Sequence, residues 1–308
     1  MKTFCKLFRL ITVICLISLL NLSAYTHTNA QRGDNFRFDH LSLKEGLSQS
    51  TVLAIVQDRY GFMWFGTEDG LNKYDGYNFT VYRHDPEVSH SLPNNRVTAL
   101  HVDQNGTLWI GTFGGLSKFD HEKESFTNYH HHPDISQSLR EDAISVIYEN
   151  KIGEMWIGTE SGWLHRFDEK REEFISFRGD PSAIRALYED SSGRFWVGNI
   201  KGLQEFHRNE GGRFTIYQHD PANPKTLNTN SVLSIFSTPN DNRLLVGTWG
   251  GGLSVFHAED NTFSHYMHDQ NDPTSLSNNA IWTMFEDGKG RLWIGTENPL
   301  DWNGWRRD

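Results

Sequence analysis

One pattern recurs along this chain and leaves little room for anything but a repeat architecture. Its first copy reads Asp58-x-x-Gly61-x-x-Trp64-x-Gly66-Thr67 and its second Asp103-x-x-Gly106-x-x-Trp109-x-Gly111-Thr112. Further copies are Asn150-x-x-Gly153-x-x-Trp156-x-Gly158-Thr159, Asp190-x-x-Gly193-x-x-Trp196-x-Gly198-Asn199 and Asp287-x-x-Gly290-x-x-Trp293-x-Gly295-Thr296. Between the last two lies a degenerate copy, with Asn242 at the turn, Leu245 in place of the Trp, and Gly247-Thr248 kept. The anchoring glycines fall at 66, 111, 158, 198, 247 and 295, at spacings of 45, 47, 40, 49 and 48. A period of that length, with a glycine turn and a Trp in each unit, is the signature of a β-propeller or a related array.

Each unit reads as four short strands. In the second, Val97 to Val102 alternates apolar and polar residues, as a half-buried strand does. Asp103 to Gly106 is a hairpin turn, in which the carboxylate can accept from turn amides and the glycine takes a positive φ. Thr107 to Gly111 predicts a strand covered on both faces. Leu116 to Phe119 and Ser125 to Tyr129 predict the third and fourth strands. Each Trp would fill the gap between neighbouring sheets, contributing about 2–3 kcal/mol by its burial. The glycine that follows would let backbones approach closely near the axis. The fold expected is therefore all-β, a β-propeller of four-stranded antiparallel blades. Trp64, Gly66, Trp109, Gly111, Trp156, Gly158, Trp196, Gly198, Gly247, Trp293 and Gly295 are its packing and not its chemistry.

The first 30 residues differ from the rest. Lys2, Lys6 and Arg9 give a basic start, Leu10–Leu20 is an apolar run of 11 residues, and Thr28-Asn-Ala30 offers small residues to a signal peptidase. That pattern predicts a secretory signal peptide over 1–30, the run being short for a membrane span. An uncleaved anchor is the alternative; Thr12-Val-Ile14 before Cys15 is a poor lipoprotein box. Both cysteines, Cys5 and Cys15, lie in the leader, so the mature chain would use neither disulfides nor thiol catalysis. Without the three leader cations the formal charge moves from −10 to −13, which disfavours nucleic acid and anionic lipid as partners.

The propeller would occupy 31–297. Asn35–Leu41 reads as a lone strand ahead of the first blade. Five blades follow at about 48–85, 92–132, 139–178, 182–219 and 228–268, and a sixth starts at Ser277. In that sixth unit Pro299 removes a backbone donor where a third strand is due, so 298–308 reads as an aberrant tail. Five and a half blades suggest an incomplete seven-bladed ring and a truncated or frame-disrupted piece of a longer protein, with bare edges prone to aggregation. A second repeat sits in the connections: His84-Asp-Pro86 before Ser91-Leu-Pro-Asn-Asn95, His131-His-Pro133 before Ser138-Leu139, His219-Asp-Pro221 before Thr226-Leu-Asn-Thr-Asn230, and His268-Asp269 before Ser275-Leu-Ser-Asn-Asn279. These are turn residues that would fix each crossover. The connection into the fourth blade lacks them, which accounts for the spacing of 40.

Taken together, Ser-Leu-x-Asn-Asn, Asp-x-x-Gly-x-Leu-Trp-Ile-Gly-Thr, Gly-Gly-Leu-x-x-Phe-Asp and Phe-x-x-Tyr resemble the two-component regulator propeller repeats. Residues 101–120 and 281–296 match that pattern almost position by position, and Phe38–Ser50 resembles the opening of the periplasmic sensor of Bacteroidetes-type hybrid two-component system histidine kinases. The resemblance implies a ligand-sensing propeller in the periplasm, responding to a glycan or oligosaccharide. In the full-length family it is followed by a second propeller, a β-sandwich, a membrane helix and a dimerising kinase core, then receivers and often a DNA-binding domain. None of those downstream parts is found in these 308 residues, so the resemblance implies no enzyme activity and no cofactor for this chain.

Ligand sites in propellers lie on the face built by the loops after the second strand and between blades. Candidates there are Glu68, Asp69, Phe113, Glu160, Ser161 and Trp249, the last exposed by the run Gly250-Gly-Gly252. Carboxylates accept from sugar hydroxyls and rings stack on apolar sugar faces. His130-His-His132 invites a metal reading, but adjacent histidines point apart and no carboxylate or Cys stands at ligand spacing on the same element; a solvated loop is expected and no metal. The Asp-turn units loosely resemble the Asp-boxes of sialidases, which are hairpin turns and not catalysts. A polysaccharide lyase or hydrolase would need an acid–base pair that breaks the repeat, and no unit carries one. A secreted protein-interaction scaffold is the other alternative.

Overall fold

The computed structural model describes residues 40–238 and 243–297. The chain divides into two units, Met1–Leu41 and Ser42–Asp308, and every element below lies in the second. The leader, Asn242, the tail at 298–308 and residues 35–39 of the expected lone strand fall outside the described residues; His40 and Leu41 are not in strand conformation.

Five four-stranded antiparallel sheets and one two-stranded sheet follow one another along the chain. The first blade is β1 (Val52–Gln57), β2 (Met63–Thr67), β3 (Gly70–Tyr74) and β4 (Phe79–Tyr82). The second is β5 (Val97–Val102), β6 (Leu108–Thr112), β7 (Gly115–Asp120) and β8 (Ser125–Tyr129). The third is β9 (Ile144–Glu149), β10 (Met155–Thr159), β11 (Trp163–Asp168) and β12 (Glu173–Arg178). The fourth is β13 (Ile184–Glu189), β14 (Phe195–Asn199), β15 (Gly202–His207) and β16 (Arg213–Tyr217), and the fifth is β17 (Val232–Ser237), β18 (Leu244–Thr248), β19 (Leu253–His257) and β20 (Thr262–Tyr266). The sixth holds β21 (Ile281–Glu286) and β22 (Leu292–Thr296) among the described residues. Strands pair in chain order within each blade, and the first strands of successive blades pack side by side. This is the all-β propeller arrangement expected from the repeat.

The hairpin turn does more than the spacing implied. Asp103 Oδ1 accepts from the amides of Asn105 (3.0 Å) and Thr107 (2.8 Å), closing the turn. Its second oxygen, Oδ2, accepts from the indole Nε1 of Trp109 at 2.8 Å. The same bond joins Asp58 to Trp64 (2.7 Å), Asp190 to Trp196 (2.9 Å) and Asp287 to Trp293 (3.0 Å). A buried indole N–H needs an acceptor, and a charged one makes the stronger bond. Burial works against the charge on Asp190, but hydrogen bonds from Ser192 and Trp196 and the charge of Arg194 outweigh it and hold the carboxyl below the usual range. The third blade breaks the rule: Asn150 Oδ1 still closes the turn, to Ile152 and Glu154, but its Nδ2 is a donor and Trp156 Nε1 has no partner.

Between blades, aromatic rings interlock. Trp64 packs edge-on to Phe119 (4.9 Å between centroids), Trp109 to Phe167 (5.2 Å), Trp156 to Phe206 (5.6 Å) and Trp196 to Phe256 (5.2 Å), each partner coming from the next blade. The glycines after the Trp serve a purpose other than the expected backbone approach. A Cβ on Gly111 would lie 2.6 Å from Ile144 Cγ2, and one on Gly198 2.5 Å from Val232 Cγ1. The room is filled by the β-branched residue that opens the next blade's first strand. Gly158→Ala would put its methyl within 3 Å of two atoms of Ile184 and one of Val146. Such overpacking is expected to cost about 1–3 kcal/mol in urea unfolding. Asp103→Ala strips the buried indole and two turn amides of their acceptor, for about 2–3 kcal/mol; a cost no larger than that of exposed Asp134→Ala would refute the role given to this bond.

The connecting loops are held by histidine. His84, His131, His219 and His268 each place Nδ1 2.6–2.7 Å from the carbonyl oxygen of a leucine eight residues on (Leu92, Leu139, Leu227, Leu276). Their backbone amides donate to Asn95, Asp142, Asn230 and Asn279. His130 Nδ1 meets Gly114 O at 2.9 Å. The triplet His130–His132 is thus not the solvated loop expected, because two of its rings are loop clamps. A second histidine is deeper. The residue after each third-strand leucine is buried and polar: Asn72, Ser117, His165, Gln204 and Ser254. Burial, helped by the charge of Arg140, pushes His165 down to about 3. An unfolded histidine titrates near 6.5, so below that pH the unfolded chain binds the extra proton. The stabilisation from neutral His165 is whole above about pH 6.5 and is lost as pH falls toward 3. His165→Gln, which copies Gln204, should therefore lose several degrees less in melting temperature between pH 7 and 4.5 than the parent chain. Equal losses would contradict it.

Candidate functional site

In an antiparallel blade, the turn between second and third strands shares an end with the start of the first strand. The candidate residues accordingly fall on one end of the blades: Glu68 and Asp69 between β2 and β3, Phe113 between β6 and β7, Glu160 and Ser161 between β10 and β11, and Trp249 between β18 and β19. At this end each first strand carries a β-bulge at its second residue. The bulged residues are Leu53, Thr98, Ser145, Arg185, Leu233 and Trp282. A bulge turns its extra residue out of the ladder, and bulges recur beside binding sites.

The structure pairs these two series across blade boundaries. Glu160 meets the bulged Arg185 at 3.1 Å. Trp249 meets the bulged Trp282 edge-to-face, with centroids 5.3 Å apart and planes at 85°. Arg96, just ahead of β5, lies over the Phe113 ring (4.2 Å) and 3.9 Å from Glu68. Glu68 and Phe113 are therefore brought together, as are Glu160 and Arg185. Asp69 and Ser161 are not part of either group: Asp69 pairs with Arg83 at 3.0 Å, and Ser161 gives its N–H and hydroxyl to Glu141 (2.9 and 2.6 Å). Trp249 is 38% exposed and Trp282 51%, two indoles open to solvent in a chain whose second-strand tryptophans Trp64, Trp109, Trp156 and Trp196 are buried.

Sequence reading missed Arg96, Arg185 and Trp282. The last carried a signal: Trp282 follows the blade-opening residue Ile281, where other units have Leu53, Thr98, Ser145, Arg185 and Leu233. Chemically, this end offers two ring faces or edges for an apolar surface and ion-paired Arg and Glu groups for hydroxyls.

The opposite end holds a polar cavity of about 450 Å³ between the third and fourth blades, lined by Glu154, Arg166, Arg194 and Arg208 among others. Each arginine is already engaged. Arg208 bridges Glu154 (3.1 Å) and Glu189 (2.7 Å), Arg166 meets Glu154 at 2.9 Å, and Arg194 meets Asp190 at 2.9 Å. Among the described residues no group of three or more His, Cys, Asp or Glu is placed to hold a metal ion, and no helix is long and apolar enough to cross a membrane.

The model of the two component regulator propeller matches residues 46–69, 91–114, 179–201 and 275–298. Histidine kinase P4 of Formosa agariphila is 49% identical over 61 residues, which are 20% of this chain and 4% of that one. The extracellular domain of the hybrid two component system BT3049 from B. thetaiotaomicron superposes with a TM-score of 0.53 at 25% identity, over 84% of this chain and 40% of the other. That of BT4673 gives 0.57 at 24%, over 84% and 38%. This chain thus spans well under half of the extracellular domains it resembles. Virginiamycin B lyase from Staphylococcus aureus shares the fold alone, with a TM-score of 0.57 at 14% identity over 81% of this chain and 79% of that one. From the Asp-turn, the Trp-Ile-Gly-Thr strand and the blades they build, this chain carries two component regulator propeller repeats on an all-β propeller fold.

Proposed function

We propose that this chain is the ligand-sensing propeller of a hybrid two-component sensor histidine kinase, acting in the periplasm, and that its ligand is an oligosaccharide. The observation that carries the ligand class is the solvent-open pair Trp249–Trp282, which lies at the same end of the blades as the Glu160–Arg185 pair. Ring faces stack on the apolar side of a pyranose, and paired charged groups exchange hydrogen bonds with its hydroxyls. The regulator repeats and the likeness to extracellular domains of two-component systems support the sensor reading. Binding is the whole of the propeller's task here, and catalysis is not part of it. Downstream signalling belongs to other parts of a longer polypeptide.

Calorimetric titration of the purified protein against a broad oligosaccharide panel tests this. One or more sugars should bind saturably, and Trp249→Ala should weaken binding about tenfold or more, worth about 1.4 kcal/mol, with little change in melting temperature since the side chain is 38% exposed. Failure across the panel would sink the oligosaccharide reading. Turnover of a polysaccharide, abolished by changing one residue at this end, would replace the sensor with a lyase or hydrolase.

A further inference from the structure

The long crossovers do more than join blades: each fills the outer mouth of the boundary it spans. The carbonyl oxygens of His90, Gln137 and Lys225 accept from the amides of Phe126 (3.0 Å), Phe174 (2.7 Å) and Phe263 (2.7 Å), each on the fourth strand of the blade that follows. Two residues further along each crossover, Leu92, Leu139 and Leu227 are fully buried. In the second blade the side chain of Asn128 also donates to the carbonyl of Ser91 at 2.8 Å. Under this cover Phe126, Phe174 and Phe263 are all buried.

The boundary between the third and fourth blades, both complete, has no such cover. Its crossover is only residues 179–183. Among the described residues no crossover carbonyl meets the amide of Phe214, and that ring is half-buried. The walls of the mouth change as well. Where the second and fifth blades have Thr127 and Ser264, the third has Ile175, 39% exposed. Where other blades have Asn128, Ser176 and His265, the fourth has Ile216, 47% exposed. Those three polar side chains meet Ser117, His165 and Ser254 at 2.7–2.9 Å. Ile216 offers its cross-strand neighbour Gln204 no such bond, and Gln204 Nε2 is buried without a partner. Side chains two apart on a strand share a face, so Ile175 lies with Phe177 and Ile216 with Phe214. Phe177 and Phe214 pack against the cluster of Trp156 and Phe206 between these two blades, which puts both isoleucines at one mouth.

We propose that the outer mouth between the third and fourth blades is a docking site for a leucine-bearing loop of a partner polypeptide, seated as the chain's own crossovers are seated elsewhere. The loop lends a backbone carbonyl to the Phe214 amide on the edge of β16 and sets its leucine against Ile216 and Phe214. Edge pairing supplies backbone hydrogen bonds, and the apolar walls supply side-chain selectivity. The chain itself shows what such a loop needs. His84 closes on the Leu92 carbonyl (2.7 Å) and the Asp85 amide donates to Ser91 Oγ (3.0 Å), bonds made wholly inside one crossover. The long crossovers of this chain are already seated at their own boundaries, so a second copy has none to offer. This inference stands apart from the sensor reading, since the mouth is at the outer strands and uses none of the candidate ligand residues.

A fluorescein-labelled peptide of residues 83–96, the crossover into the second blade, serves as the probe, titrated with the full chain and read by anisotropy. Saturable binding is expected. The peptide with Leu92→Ala should bind at least about tenfold more weakly. So should the native peptide to the Ile216→Glu chain, whose melting temperature should stay near that of the parent because the side chain is 47% exposed. Exposed Tyr77→Ala should change nothing. Absence of binding up to about millimolar concentration, equal binding of both peptides, or indifference to Ile216→Glu in a folded chain would each overturn the proposal. Concentration-dependent dimerisation that excludes the peptide and is lost with Ile216→Glu would also overturn it, making a second copy the occupant.

Discussion

The hydrogen bond from a buried indole to the turn aspartate is the constraint on which the rest depends. One carboxylate oxygen closes the hairpin and the other fixes the Trp ring, as in Asp103 with Asn105, Thr107 and Trp109. Local turn geometry is thereby tied to the plane of the largest side chain in the core. The ring then decides where the next blade can sit, because Phe119, Phe167, Phe206 and Phe256 each meet it edge-on. An edge-to-face contact is directional in a way that aliphatic packing is not. Where Leu245 replaces the Trp, the fifth blade keeps its four strands, and Leu245 packs in an aliphatic cluster with Leu253, Val255 and Ile281.

The third blade shows the same constraint by its exception. Asn150 keeps the turn and loses the bond to Trp156, and its amide nitrogen faces Glu154 and Glu189 instead. Those two carboxylates are joined by Arg208 from the fourth blade. An aspartate at 150 would set a third carboxylate beside them, and like charges at that separation repel. The boundary between third and fourth blades thus adds a cross-blade ion pair, Arg208 to Glu154, to its ring contacts. The short connection of residues 179–183, against 14 residues in the other crossovers (83–96, 130–143, 218–231 and 267–280), accompanies this change at the same boundary.

Positions that face a neighbouring blade and positions at the loop end behave differently along the chain. Positions that face a neighbouring blade repeat: Trp, Gly, the β-branched residue that opens each first strand, the histidine of each long loop. Positions at the loop end do not. Glu68, Phe113, Glu160, Ile200 and Trp249 occupy one such place in successive blades, and Leu53, Thr98, Ser145, Arg185, Leu233 and Trp282 another. Thr98 and Ser145 tie their blades to the next through hydroxyl bonds to the carbonyls of Ile144 and Ile184, while the other positions give this end of the scaffold acidic, cationic and aromatic groups.

Much of this was legible without coordinates, for a definite reason. Strand type, turn position and blade order follow from local patterns (alternation, Asp-x-x-Gly, a fixed period), and each is settled within a few residues of itself. The roles of Asp103 as acceptor for Trp109 and of His131 as a clamp on Leu139 were not legible, because side-chain hydrogen bonds of this kind depend on where the backbone returns. The purpose of Gly158 was misread for the same cause: the atoms that need its missing Cβ belong to Ile184 in the next blade. At the loop end, sequence singled out Trp249, Phe113 and the carboxylates one by one. It could not tell that Trp249 meets Trp282, that Arg96 joins Glu68 to Phe113, or that Glu141 and Arg83 claim Ser161 and Asp69. The sequence by itself determined the repeat, its strands and its turns, which are short-range. Only the tertiary structure decided which side chains face one another across blades, because those contacts join residues one blade-repeat apart and exist only once the blades are stacked.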